Sequence, residues 1–351
     1  MCGSEQMTRR IWRGLADSAT AARMDFGLQI NGPDLIQGRD IAQAAEGLGF
    51  GTIYFPDHLV LEGPERQAQG FPAYDPMIQA AVVATATKRI RMGQLVLCNL
   101  FRHPAVTARS IATLDELSNG RAVLGLGSGW TETEFKMTGI DFPEIGPRLR
   151  MLDEALTCIR GLWGDAPFSF EGEFYRFQDA SLTPRPVQRP RPPIILGGSG
   201  KGLLRIAAKH ADLVNIVSET GKQGYISLAT AAKLTDESFR EKIRFLHGEA
   251  AKAGRDPKSV RVSGMIVTVA VTESRADAQG MAGGVGSMFG VPGEVILSSP
   301  LFLIGTAEDL VAELRRRQRE WGLSEAIVAG QYTMDTIERF GREVIPHLKG
   351  A

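Results

Sequence analysis

Eight times along this chain a short run of apolar and β-branched residues is followed by a longer stretch with helical spacing, and that alternation leaves few folds open. The runs are MDFGLQI from Met24, GTIYF to Phe55, IRMGQLVLC to Cys98, RAVLGLGSG from Arg121, IILGGSG from Ile194, DLVNIVS from Asp212, VRVSGMIVTVAV from Val260 and EAIVAG from Glu325. Between them lie helical patterns. One spans 34–48, with Ile41, Ala44, Ala45 and Leu48 on one face, and stops at Gly49. Another opens on Asp75-Pro76, and a third runs from Pro104 to Asn119-Gly120. Others carry Leu149, Leu152, Leu156 and Ile159, begin at Lys201, span 235–253, begin near 274, run from Thr306 to Trp321, and end at Leu348. Strands that alternate with helices pair in parallel through right-handed crossovers. Eight repeats of this length fit an α/β (β/α)8 TIM barrel with insertions. An open doubly wound sheet shares the local pattern, which does not itself show closure. The stretch 164–193 breaks the rhythm, with FSFEGEFYRFQ as a hairpin and the Pro-rich TPRPVQRPRPP as an extended return to the next strand. The barrel is expected to be one domain over 24–351, after a polar tail over 1–23 that is expected to be disordered.

Composition narrows the function classes. Forty acidic and forty basic residues cancel, with no Lys/Arg block, so a nucleic-acid partner is not expected. Three separated cysteines, Cys2, Cys98 and Cys158, make no disulfide framework and no zinc pattern, and fit a cytoplasmic protein. No HxH, HExxH or carboxylate cluster suggests a metal. No apolar run reaches membrane-span length.

In a barrel of this kind chemistry sits where strands end. The second run ends on Asp57-His58. An imidazole there can donate or accept a proton, and Asp57 can orient a cofactor or bias the ring. The plainer alternative is a turn cap beside a packed histidine. The fourth run ends GLGSGW, where glycines allow close approach of a flat ring to the backbone or simply fit a tight barrel corner. The fifth ends GGSGKG directly before a helix. Small residues there bare backbone N–H groups at a positive helix end, which suits a phosphate, the plainer alternative being an N-cap with a flexible turn. Cys98 ends the third run with nothing nearby to activate its thiol, so it reads as a wall residue. The Gly- and Met-rich segment 281–294 reads either as a mobile substrate lid or as a plain surface loop.

Four stretches in this order, AEGLGFGTIYFPDHL, HPAVTARSIATLDELSNGRAVLGLGSGW, PRPVQRPRPPIILGGSGKGLLRIAAKHADLVNI and LIGTAEDLVAELRRR, resemble the luciferase-like monooxygenase superfamily. The Asp-His pair tips the resemblance toward the branch using coenzyme F420, an 8-hydroxy-5-deazaflavin. The resemblance implies Asp57 and His58 beside the ring. It implies a bulge with a non-proline cis peptide over Leu95 to Cys98, so that Leu97 and Cys98 join the cofactor site. It places Gly127, Ser128 and Gly129 along the ring or its ribityl chain, and Gly197, Gly198, Ser199 and Gly200 at the phosphate. Sugar-phosphate dehydrogenases of the branch carry a Trp shortly after the pair and a Glu after the fourth-strand glycines. This chain has Glu62 or its neighbours and Trp130 there, which argues against glucose-6-phosphate. The implied activity is hydride transfer between F420 and a small substrate bearing C=C, C=N, C=O or an alcohol, with His58 handling the proton. An FMN-dependent monooxygenase and a non-catalytic binder are the alternatives. Lys201 or Arg205 is placed to meet the glutamate tail of F420, and helix pairing into a homodimer suits a barrel.

Overall fold

A computed structural model gives the architecture and describes residues 23–30, 34–59, 74–217, 234–330 and 332–349. The expected tail up to residue 22, Glu62, and most of the loops after the second and sixth barrel strands lie outside the described residues. The chain begins with β1 (Asp25–Gln29), α1 (Leu35–Leu48), β2 (Thr52–Phe55) and α2 (Pro76–Ala86). The third barrel strand comes in two pieces, β3 (Arg91–Gln94) and β4 (Leu97–Cys98), followed by α3 (Pro104–Leu117), β5 (Ala122–Gly127), α4 (Glu132–Thr138) and α5 (Ile145–Leu162). The hairpin β6 (Phe168–Glu171) and β7 (Arg176–Ala180) stands outside the barrel as a two-stranded antiparallel sheet. Then come β8 (Ile194–Gly197), α6 (Lys201–His210), β9 (Leu213–Ile216), α7 (Asp236–Lys252) and β10 (Arg261–Ile266). The last part holds β11 (Thr268–Val271), α8 (Arg275–Phe289), α9 (Gly293–Ser298), β12 (Phe302–Gly305), α10 (Ala307–Trp321), β13 (Leu323–Val328) and α11 (Met334–Glu343).

Parallel pairings run β3-β2-β1-β13-β10-β9-β8-β5, and β3 pairs with β5 to close the ring. The open-sheet alternative is thereby removed: the chain is a (β/α)8 barrel. Local signals place its helices. Asp34 and Asp75 accept the first free N–H groups of α1 and α2, and Gly49, at φ 96°, ends α1 in the left-handed region. Alternation sorts side chains into two cores. Tyr54, Leu95, Val123, Ile195, Leu213 and Ile327 fill the barrel interior, and a larger layer lies between strands and helices.

Two segments differ from expectation. The run from Val260 splits after Ile266. Its second half leaves the barrel as β11 and pairs with β12, a strand that the sequence pattern does not announce. The segment 281–294 is not a loop, because α8 and α9 cover it apart from the turn at 290–292. Two of its glycines, Gly286 and Gly293, serve close packing. A Cβ on Gly286 would lie 2.4 Å from the carbonyl oxygen of Val291, and one on Gly293 would lie 3.0 Å from the nitrogen of Gly283.

At the pole where the strands begin, Glu325 lies buried with the Tyr54 hydroxyl 3.1 Å from both its oxygens. A cavity of about 460 Å³ adjoins it, also lined by Asp25, Arg91 and Arg261. This is the barrel end where side chains serve stability more than chemistry. Burial pushes the Glu325 carboxyl up to about 7, with Asp25 adding and Tyr54, Arg261 and Arg91 opposing. In the unfolded chain it ionises near pH ~4.3. The folded state therefore holds the proton more tightly, and this residue's stability is lost as pH rises through that window. The loss is on the order of 3 kcal/mol above pH ~7. Glu325→Gln keeps an acceptor for Tyr54 and removes the charge. It is expected to match the parent near pH ~4.5 and to exceed it by roughly 2–3 kcal/mol near pH ~8 in urea unfolding. Equal stability at the higher pH would contradict the assignment.

Candidate active site

The opposite pole collects the strand ends singled out above. After β2, whose residues are all buried, come Pro56, Asp57 and His58. Asp57 is 6% exposed and takes three hydrogen bonds: from the Cys98 N–H at 2.8 Å, and from Arg102 at 2.6 and 3.1 Å. Arg102 also reaches Asp75, the cap of α2, at 3.2 Å. Burial raises the Asp57 carboxyl above its ordinary value, with Arg102 and the Cys98 amide opposing. Asp57 thus ties the end of β2 to β4, and the imidazole beside it is biased by another residue.

That residue is Glu134, on the short helix α4, which the sequence pattern did not reveal. It is 2% exposed. Its Oε2 lies 3.3 Å from His58 Nδ1, and its Oε1 accepts the N–H of Leu59. Trp130 meets the imidazole edge-on, with centroids 5.7 Å apart and planes at 89°. Among the described residues nothing bonds Nε2 of His58, whose side chain is 23% exposed.

Between these strand ends lies the bulge joining β3 to β4, and the Leu95–Val96 peptide is cis. Val96 packs on the interior cluster. The glycines of β5 and β8 answer to it. A Cβ on Gly127 would lie 2.7 Å from Val96 Cγ2, and one on Gly197 3.1 Å from Val96 Cγ1. At Gly125 a Cβ would fall 1.6 Å from the carbonyl oxygen of Gln94. The GLG run therefore makes room for the bulge, so the flat surface at this level is the bulge itself. Ser128 and Gly129 are part-buried, and the carbonyl of Gly129 accepts from Arg148 at 2.7 Å. Leu97 clusters under the helices with Leu126, so its side chain faces away from the barrel interior. Burial pushes the Cys98 thiol up to about 12, which keeps it protonated and unreactive as a wall residue.

At the end of β8, Gly198 has φ 143°, outside the range a side chain favours, and its N–H donates to the carbonyl of Asn215 at 3.0 Å. Ser199 is 6% exposed, and Gly200 caps α6 without any side-chain bond to its first N–H groups. The helix end is left open to an anion. Lys201 and Arg205 both lie over the Phe245 ring, and Arg205 pairs with Glu249 at 3.5 Å. Three other histidines are occupied elsewhere: His103 caps α3, His210 bonds Asp153 at 2.7 Å, and His247 lies 3.3 Å from the carbonyl of Val260. Among the described residues no cluster suits a metal ion, and no helix is long and apolar enough to cross a membrane.

The barrel fold is shared by known proteins. The luciferase-like monooxygenase family profile matches residues 17–320, and the chain belongs to that family. It is 33% identical over 218 residues to the F420-dependent glucose-6-phosphate dehydrogenase of Microbacterium testaceum, covering 62% of this chain and 59% of that one. It is 31% identical over 202 residues to the FMNH2-dependent dimethylsulfone monooxygenase of Pseudomonas fluorescens, covering 57% of this chain and 50% of that one. The chain thus spans little more than half the length of these curated relatives. An F420-dependent secondary alcohol dehydrogenase shares the fold, with TM-score 0.73, 21% identity, and 93% and 99% of the two chains covered.

Proposed function

We propose that the protein is an F420-dependent oxidoreductase that moves hydride between the deazaflavin and a small organic substrate. The observation that carries this reading is His58, held at the strand-end pole with Nε2 unengaged by the described protein. Bound F420 would supply a carbon centre that gives or takes hydride and activates oxygen poorly. The residues present fit it. The open N-terminus of α6 with Gly197, Gly198, Ser199 and Gly200 suits its phosphate, and the Val96 bulge offers an apolar surface for a ring. Asp57 serves the cofactor by fixing the Cys98 backbone through its hydrogen bond, and so the bulge. Gly127, Ser128 and Gly129 would line the ring or its ribityl chain, as the resemblance implies. His58 exchanges the substrate proton through Nε2. Glucose-6-phosphate is not the substrate we favour, because Trp130 stands where the resemblance expects a Glu and packs against His58.

The dimethylsulfone monooxygenase relatives support a second reading, an FMN enzyme using oxygen, because FMN has the same ribityl phosphate. Mixing the protein with F420 and a panel of secondary alcohols under nitrogen separates the two. Loss of the oxidised deazaflavin's absorbance, unchanged by admitting air, is the expected result. Turnover that requires both reduced FMN and oxygen would replace the proposal with the monooxygenase.

A further inference from the structure

We infer that Glu134 is a positioning residue that sets the tautomer of His58, keeping its proton on Nδ1 and presenting Nε2 as a bare acceptor. The inference refines the role proposed for His58 and rests on that reading only for its kinetic consequence.

The geometry leaves little freedom. An ionised carboxylate only accepts hydrogen bonds. One oxygen of Glu134 takes the N–H of Leu59, the residue directly after His58, and the other stands 3.3 Å from Nδ1. The carboxylate therefore grips both the backbone and the ring of one short segment. Nδ1 must be the donor in this pair, and in neutral imidazole that leaves the lone pair on Nε2. Trp130, edge-on at 5.7 Å, restrains the ring from turning over. Glu134 is itself 2% exposed, so water competes weakly for its oxygens. In the alcohol-oxidising direction Nε2 would take the O–H proton of the substrate, and bound F420 would supply the acceptor for its C–H hydride. The resulting imidazolium keeps its other N–H on Glu134. In the reverse direction Nε2 returns that proton.

Glu134→Gln gives a sharp test, because the N–H of Leu59 can only donate. The amide oxygen must stay on Leu59, which turns the NH2 group toward Nδ1 and forces the ring proton to Nε2. The full chain with 15N-labelled histidine, read by NMR near pH ~8 where an ordinary imidazole is neutral, reports the tautomer directly. A His58→Gln variant identifies the signal. The parent is expected to show Nδ1–H, the Gln variant Nε2–H, and Glu134→Asp the parent pattern. Turnover of the Gln variant should fall by about 10²-fold or more, with cofactor Kd changed by less than about twofold, as expected for a base held in the wrong tautomer. Glu134→Ala, which leaves the ring free to choose, should lose less turnover than Gln. A purely structural role gives the opposite order. A parent protein carrying its proton on Nε2, or the same tautomer in parent and Gln variant, would overturn the inference. The parent spectrum alone decides if the variants do not fold. A switched tautomer with unchanged turnover would leave the assignment standing and defeat the proposed catalytic role of His58 instead.

Discussion

His58→Ala is expected to lower turnover of F420 with its substrate by roughly 10²–10⁴-fold, the usual contribution of a positioned general base or acid. The Kd of the cofactor should change by less than about threefold. The split follows from what His58 touches. Its ring contacts Glu134 and Trp130, and its Nε2 is open, whereas the turn proposed for the phosphate sits on a different strand and helix. An interaction made only in the transition state lowers kcat and kcat/KM together. Steady-state kinetics with a fluorescence titration of the same preparation reads both quantities. Turnover within about fivefold of the parent would remove His58 from the reaction.

Arg102→Met is expected to destabilise the protein by about 3–5 kcal/mol, since it strands a buried carboxylate. Asp57 has a side chain 2% exposed and Arg102 one 17% exposed, so solvent cannot replace the lost partner. Burial already raises the Asp57 carboxyl with Arg102 in place, and removing the guanidinium raises it further. At acid pH Asp57 takes up a proton and the variant suffers least; the penalty grows as pH rises toward the carboxyl's raised folded value and is constant above it. Pairing the change with Asp57→Asn should restore most of the loss at neutral pH, because the charge that lacked a partner is gone. Urea unfolding at two pH values checks this. A single variant as stable as the parent near pH ~8 would show that the pair contributes little.

How much of this was readable from the sequence depends on range. The barrel was legible because its signals are local. Eight apolar runs, Asp caps before α1 and α2, the Gly49 stop and the Pro104 start all act within a few residues. Closure was not, because the β3–β5 pairing joins segments whose patterns look the same in an open sheet. In the site, Asp57-His58 and the glycine turn after β8 could be singled out as candidates because barrel strand ends gather function. Their partners could not. Glu134 is 76 residues from His58, and Arg102 is 45 from Asp57. Nothing in TETEF or FRHP marks either side chain as inward-facing. The packing of the GLG run against Gln94 and Val96 could not be read in advance, because the shape of that bulge is a tertiary fact. The segment 281–294 misled through composition. Gly usually weakens a helix by ~1 kcal/mol relative to Ala, but here it lets α8 and α9 meet at backbone distance.

The proposed function requires that this barrel mouth bind the deazaflavin. Side-by-side fluorescence titration of the purified full chain with F420 and with FMN tests it most directly. Saturable F420 binding is expected, weakened by a side chain placed at Gly198 where φ is 143°, with FMN binding at least about tenfold weaker, a difference of ~1.4 kcal/mol. Micromolar FMN binding with no binding of F420 would contradict it.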